Sequence, residues 1–283
     1  MAPVVFVGPP TLNDVIYAVN TNSAAIRQLS TESATLTTTG APSLRATLAL
    51  ERPRNFRLRA KLIGQELDVG SNHELFWIWT KSDPDRAIYY AQHDTFGSTA
   101  ANQGLPIGPD WLIEAIGLVQ LEPSGQHEGP VARPDQNFEI LSHLERNGAP
   151  YTRVMIVDKQ RGWVLEQHLR DMTGRSLATA RCSEHRFYQA AGASLPHRIQ
   201  IELPTANLAF QVEVGEYLVN QLQSDPAELW KLPHYEGYRL VNLADVPRQV
   251  APGSAVYPEP ARAGATQQPH TAYRPRYRGL SSR

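Results

Sequence analysis

Cysteine is almost absent from this sequence: Cys182 is the only one in 283 residues. That excludes an internal disulfide and any metal site built on several thiolates. It leaves the redox compartment open, because many exported bacterial proteins also lack disulfides. No hydrophobic run approaches the roughly 20 residues needed to cross a bilayer as a helix. Charge of one sign is not in excess either: 27 Lys and Arg stand against 28 Asp and Glu, a formal net charge of -1. No global field then favours nucleic acid or an anionic surface, and no nucleic-acid partner is expected. Neither Gly-x-Gly-x-x-Gly nor the Walker pattern is present to cradle a phosphate, so no nucleotide cofactor is expected. A Gly-x-Ser-x-Gly elbow and solenoid-type repeats are missing too. The opening Met-Ala-Pro-Val-Val-Phe-Val-Gly is too short for a signal peptide and has no basic stretch before it. Two readings follow: a cytoplasmic protein, or an exported one whose signal is not in this chain.

What is present is a core and a strand pattern. Hydrophobic residues make up 41% of the chain and aromatics 8%, enough for one large domain or two small ones. From Leu44 to Asp94 the period is two. Leu44, Ala46, Leu48 and Leu50 alternate with Arg45, Thr47, Ala49 and Glu51; Phe56, Leu58, Ala60 and Leu62 alternate with Arg57, Arg59 and Lys61. This alternation predicts a sheet with one apolar and one wet face. Leu75-Phe76-Trp77-Ile78-Trp79 is apolar on both faces. Either Phe76 and Ile78 or Trp77 and Trp79 face a concavity, and the other pair needs a separate cover.

Strands are predicted at 26–39, 44–51, 55–63, 65–69, 74–81 and 87–92. A second run is predicted at 138–145, 152–158, 162–170, 176–188, 196–203 and 207–214. Short Gly, Pro, Asn and Asp turns join the first run, making sequence neighbours into sheet neighbours. An extended lead-in (1–10) precedes a short amphipathic helix over Thr11–Asn22, with Thr11 and Asp14 as a weak capping box and Ile16 and Val19 on its apolar stripe. The segment 97–134 interrupts the strands and reads as a helical insert. Its helix starts at Pro109-Asp110, carries Trp111, Leu112, Ala115 and Ile116, and stops at Gly117; a polar loop follows over Ser124–Pro134. Residues 225–229 read as one helical turn. The main domain spans 11–246, and the Pro- and Arg-containing stretch 247–283 reads as a disordered tail. The fold class is mainly β with short helices (α+β): a curved antiparallel open or half-barrel of about eleven strands with a helical lid.

The order of one helix, a long strand run, a helical insert and a second strand run resembles the LolA/LolB-like lipoprotein-carrier superfamily. The segment Gly64-Gln65-Glu66-Leu67-Asp68-Val69-Gly70-Ser71-Asn72, running into Glu74-Leu75-Phe76-Trp77-Ile78-Trp79, is similar to the strand-turn-strand of exported members from Planctomycetes-type bacteria. The resemblance covers roughly 11–220. It implies an incomplete barrel around an apolar cavity with helices at the mouth. It implies non-enzymatic binding of lipid acyl chains or lipoproteins in the periplasm or at the outer membrane. It allows contact with a membrane surface through an N-terminal lipid anchor outside this chain, and a monomer is expected. Relatives sense envelope stress, so the alternative is a protein-interaction module with a filled core. The carrier's functional arginine pairs with its lid. Arg45, Arg57 and Arg59 lie opposite the apolar face by alternation, and none matches that position. No loop matches the exposed apolar loop of the membrane-anchored subgroup.

Cavity candidates are therefore Leu48, Phe56, Leu58, Phe76, Trp77, Ile78, Trp79 and Tyr90, with Tyr89 beside the last; lid candidates are Ile16, Val19, Trp111, Leu112 and Ile116. The plain alternative for the aromatics is ordinary sheet core, and for the insert helix a fixed crossover. Nine histidines, among them His73, His93, His127, His143, His185 and His197, lack the helical pair spacing of zinc sites, and no metal is expected. Asp68, Ser71 and His73 are close in sequence but read as a capped turn rather than a triad. Cys182 alternates into a strand as a small buried residue. The tail stretch Tyr273–Arg278 interleaves Arg with Tyr and reads as solvated. No catalytic set emerges.

Overall fold

The helix α1 (Leu12–Ala24) starts where its cap chemistry dictates. Thr11 accepts the Asp14 backbone N–H, and the Asp14 carboxylate accepts the Thr11 N–H in return, a complete capping box. The computed structural model describes residues 1–96, 108–146 and 149–245. The disordered-tail expectation for 247–283, and the start of the insert, lie outside the described residues.

Six strands then form a meander: β1 (Gln28–Thr38), β2 (Leu44–Glu51), β3 (Asn55–Lys61), β4 (Gln65–Ser71), β5 (Leu75–Thr80) and β6 (Ala87–Gln92). A short helix α2 (His93–Phe96) follows, and α3 (Pro109–Ala115) lies in the insert. The second run is β7 (Gln126–Ala132), β8 (Phe138–Arg146), β9 (Ala149–Val157), β10 (Val164–Asp171) and β11 (Ser176–Ser183). It continues through β12 (Arg186–Tyr188), β13 (Ala193–Leu195), β14 (Arg198–Leu203), β15 (Leu208–Val214) and β16 (Leu218–Val219). A last helical turn, α4 (Pro226–Leu229), and strand β17 (Arg239–Asn242) complete the described chain.

Among the described residues the main sheet has 15 strands in the order β17-β6-β5-β4-β3-β2-β1-β15-β14-β11-β10-β9-β8-β7, with β16 paired to β1 off this path. The chain runs outward from the centre to β6, crosses to the far edge at β7, and returns so that β15 lies beside β1. The two ends of the sheet do not meet, so the fold is one large curved sheet, an open half-barrel rather than a closed barrel. All pairings are antiparallel except that of β17 with β6.

The structure holds more strands than the pattern predicts. The stretch 124–134, a polar loop by its sequence, contains the edge strand β7, whose residues are mostly exposed and therefore carry no apolar alternation. The expected strand 176–188 breaks at Glu184, which adopts φ 56, and its end forms the separate hairpin β12–β13. Strand β17 lies in a region with no periodicity, because it pairs at an edge and its Arg239 and Leu240 are exposed.

Across the sheet, paired residues share a face, and this sets the core. Leu48, Leu58, Val69 and Ile78 stand in one row over β2 to β5. Leu36 pairs with Val212, which pairs with Ile199, which pairs with Cys182, carrying the same face into the second half. This is the concave face. The main core gathers these residues with Trp111, Ile113, Ala115, Ile116 and Leu118 from the insert. A second cluster joins Val15, Ile16 and Val19 of α1 to Val119, Leu121, Ile140, Met155 and Val157. The insert stops turning at Gly117, whose φ of +88 suits glycine alone and redirects the chain along the concavity.

Candidate functional site

The described residues leave the concave face unfilled. Between β1–β5, β14–β15 and α3 lies an apolar cavity of about 560 Å³. Leu48, Phe56, Leu58, Phe76 and Ile78 line one wall. Ile199, Ile201, Phe210 and Val212 line the opposite wall, and Leu112 and Ile116 form a lip of insert helix. These second-wall residues sit on strands that alternate cleanly, so the period gave their face; only the pairing of β15 with β1 brings the two walls together.

The cavity opens toward the hairpin turns. Ala41, Pro42, Leu62, Ser82 and Leu208 belong to or flank the β1–β2, β3–β4, β5–β6 and β14–β15 connections, and all line the space. The rim is apolar and wet: Leu62 is 54% exposed, Leu208 41%, and Ile63, at the tip of the β3–β4 turn, is fully exposed. An exposed apolar loop is therefore present, contrary to the sequence reading; Leu62 and Ile63 looked like the end of an ordinary strand.

Trp77, Trp79 and Tyr90, taken as cavity candidates, lie elsewhere. Their alternation with Phe76 and Ile78 places them on the convex face. There Trp77, Trp79 and Ile88 are buried under a strap of chain that contributes Leu232, Tyr235 and Tyr238, with Tyr90 partly buried beside them. Tyr235 stacks on Trp79 with ring centroids 3.8 Å apart. The doubly apolar strand thus needs two covers, and the second comes from a segment too polar and irregular to announce itself. Trp77 lies directly over Gly70, where a Cβ would collide with the indole. A buried ion pair anchors the strap. Arg57 donates to both oxygens of Asp68 at 3.1 and 2.7 Å, and to the Leu229 carbonyl at 2.9 Å. Asp68 also accepts from Trp77 Nε1 and from the Tyr235 hydroxyl at 2.8 Å. Burial and this carboxylate push the Tyr235 phenol well above its ordinary range.

The lid candidates divide. Leu112 and Ile116 line the cavity, while Trp111 is buried in the core behind them. Ile16 and Val19 do not reach it; α1 is packed against β8, β9 and the 119–121 segment. Ser23 and Asn20 tie that helix to the Val119 and Leu121 backbone. The insert helix is held differently. Arg153 on β9 donates to the Glu114 carboxylate at 2.8 Å, and Gln167 on β10 donates to the Glu114 carbonyl at 2.7 Å. Burial raises the Glu114 pKa, with Arg153 opposing. Arg153 Nε and Gln167 Oε1 beside this contact are buried without a hydrogen-bond partner among the described residues. Arg153 could not be found by alternation alone: it is a buried arginine on the concave face, which the pattern marks only as a break.

The other residues singled out are not assembled into a site. Asp68 points to the convex face, Ser71 contacts His93 Nε2 at 3.3 Å, and His73 is exposed, so that trio is not brought together. Cys182 is buried beneath α3, its thiol 3.4 Å from the Ala115 carbonyl and pushed up to about 12 by burial. His185 stacks on Trp163 with centroids 4.6 Å apart, and His197 contacts the Tyr188 hydroxyl at 2.8 Å. His127 meets Ser142, and His143 pairs with Glu128. Among the described residues no group of three or more His, Cys, Asp or Glu side chains could hold a metal ion, and no helix is long and apolar enough to cross a membrane.

No protein-family model and no curated protein matches the sequence. Solved structures do resemble the fold. A domain described as a candidate outer membrane lipoprotein-sorting protein, from Vibrio parahaemolyticus, matches with a TM-score of 0.50 at 10% identity, covering 76% of this chain and 95% of that one. A DUF1329 family protein from Desulfovibrio piger gives 0.41 at 8% identity, covering 78% and 100% of the two chains. A LolA superfamily protein from Nitrosomonas europaea gives 0.36 at 12%, covering 79% and 99%. The half-open sheet around an apolar concavity shares its fold with the Vibrio parahaemolyticus domain.

Proposed function

We propose that this protein binds the acyl chains of lipids or lipid-modified proteins in its concave cavity, without catalysis, and serves their trafficking in the cell envelope. The observation that carries this reading is the cavity itself. It holds about 560 Å³ of open space, walled by aliphatic and phenyl side chains from both halves of the sheet. Ligand sites fall in the range of about 300–1,000 Å³. Transfer of an acyl chain from water into such a space is favourable by about 0.8 kcal/mol per methylene. The same open volume argues against the alternative, a stress-sensing or interaction module whose core is filled by its own side chains.

Release of so apolar a cargo requires that the enclosure can open. The insert helix is the element suited to this. It contributes Leu112 and Ile116 to the cavity, with Trp111, Ile113 and Ala115 packed into the core behind them and Glu114 held by Arg153 and Gln167. Helix α1, by contrast, contributes nothing to the cavity lining. The exposed rim residues Leu62, Ile63 and Leu208 suit contact with an apolar surface at the moment of transfer. A periplasmic or outer-membrane location, with or without an anchor beyond this chain, fits that role.

The test is extraction of the purified protein with organic solvent followed by mass spectrometry, together with displacement of bound Nile red by 1-monopalmitoylglycerol. Co-purified lipid or saturable displacement is expected. A protein that carries no lipid and releases no dye does not have this function.

A further inference from the structure

The cavity's lining says something about the head of the ligand as well as its tail. Among the described lining residues, Glu66 is the only one with a charged side chain. It stands at the mouth with the hydroxyls of Thr38, Thr80 and Ser82, while everything deeper is apolar. An acyl chain inserted tail-first would leave its head beside that carboxylate.

Of the neighbouring cations only Lys81 meets this carboxylate, and it is not among the residues lining the cavity. Lys81 Nζ pairs with Glu66 Oε1 at 2.9 Å from the solvent side, its side chain 54% exposed against 27% for Glu66. Arg45 and Lys61 are cross-strand partners on the convex face. Arg86 lies over the Tyr238 ring, under the strap side. The turn after Ser82 adds Asp83 and Asp85, which accept from the Ala87 amide and the Tyr89 hydroxyl. An anionic head placed at the mouth would meet the Glu66 carboxylate, offset in part by Lys81 alone, and would find no cation among the described lining residues to pair with.

We propose that Glu66 selects the head group, so that the cavity takes acyl chains borne on uncharged or cationic groups, such as acylglycerols or amide-linked chains, and disfavours free fatty acid anions. This rests on the acyl-chain reading above and sharpens it from a hydrophobic site to a ligand class. It also fits a rim that offers hydroxyls, which hydrogen-bond to ester, amide or glycerol oxygens without requiring charge.

The experiment compares ligands of one chain length at pH 8, below their micelle-forming concentrations, by displacement of Nile red from the full chain. The probes are 1-monopalmitoylglycerol, palmitate and hexadecyltrimethylammonium. The neutral and cationic probes are expected to bind about tenfold more tightly than palmitate, the scale of one close charge contact at a protein edge. Glu66→Gln should collapse that difference, and Lys81→Met should widen it; opposite effects of two substitutions in one ion pair exclude simple misfolding. Palmitate binding as tight as that of monopalmitoylglycerol, or a preference unchanged in Glu66→Gln, overturns the proposal while leaving acyl-chain binding intact. If no probe displaces the dye, the acyl-chain reading itself fails, and this inference with it.

Discussion

Arg57 on β3 reaches diagonally to Asp68 on β4 in a two-bond fork, 8% and 0% exposed, that holds the strap 226–238 on the convex face. Arg57 continues from the carboxylate to the carbonyls that end α4, so a single side chain joins sheet and strap. Removing one partner leaves the other charge buried and uncompensated. Asp68→Ala is therefore expected to cost about 3–5 kcal/mol in denaturant unfolding. The double substitution Arg57→Met with Asp68→Leu should cost less than either single one, which the same titration measures.

The Arg153–Glu114 contact should behave differently. Glu114 has a raised pKa because burial outweighs its attraction to Arg153. A carboxyl whose folded pKa is raised binds its proton more tightly in the folded state, so acid favours the docked helix. Glu114→Gln is expected to keep it docked, since the amide oxygen still accepts from Arg153. Arg153→Met should free it. Hydrogen exchange of the 111–116 amides reports the difference: fast in Arg153→Met, slow in Glu114→Gln.

Filling the cavity separates binding from stability. Ile78 lines the open space in the middle of β5, beside Val69. Ile78→Trp places an indole where a ligand would lie, and β-strands accept tryptophan well. Dye binding should fall at least about tenfold, with the thermal midpoint unchanged or raised. Full dye binding in this variant would place the ligand elsewhere.

Acid sensitivity should trace in part to His185. Burial against Trp163 lowers its pKa from 6.5 to about 4. The unfolded chain then takes up a proton that the folded one refuses. Stability is complete above about pH 6.5 and declines as the pH falls toward 4, by at most roughly 3 kcal/mol for this group. Unfolding free energies measured between pH 7 and 4 should show a shallower decline in His185→Phe, which keeps the stacking.

Much of the architecture was legible in the residues. The alternation from Leu44 to Leu62 fixes which side chains share a face, while the choice between Phe76 with Ile78 and Trp77 with Trp79 for the concave side stays open until strand pairing aligns Ile78 with Val69, Leu58 and Leu48. The cap at Thr11 and the stop at Gly117 set the helix ends. Less legible were elements without a period. Strand β7 is exposed at an edge, and the strap is held by hydrogen bonds and ring stacking rather than by an apolar stripe. Trp77, Trp79 and Tyr90 were misassigned for that reason: nothing in their own segment tells which side has a cover of its own chain.

The sequence by itself determined the strands that carry an apolar alternation, their two faces and the need for a second cover over Leu75–Trp79, because side-chain alternation is a local consequence of the pleat. Only the tertiary structure decided that the concavity stays open, that Arg153 reaches Glu114, and that Glu66 stands at its mouth. These depend on pairings such as β1 with β15, between residues far apart along the chain, and no local pattern encodes the distance between two walls.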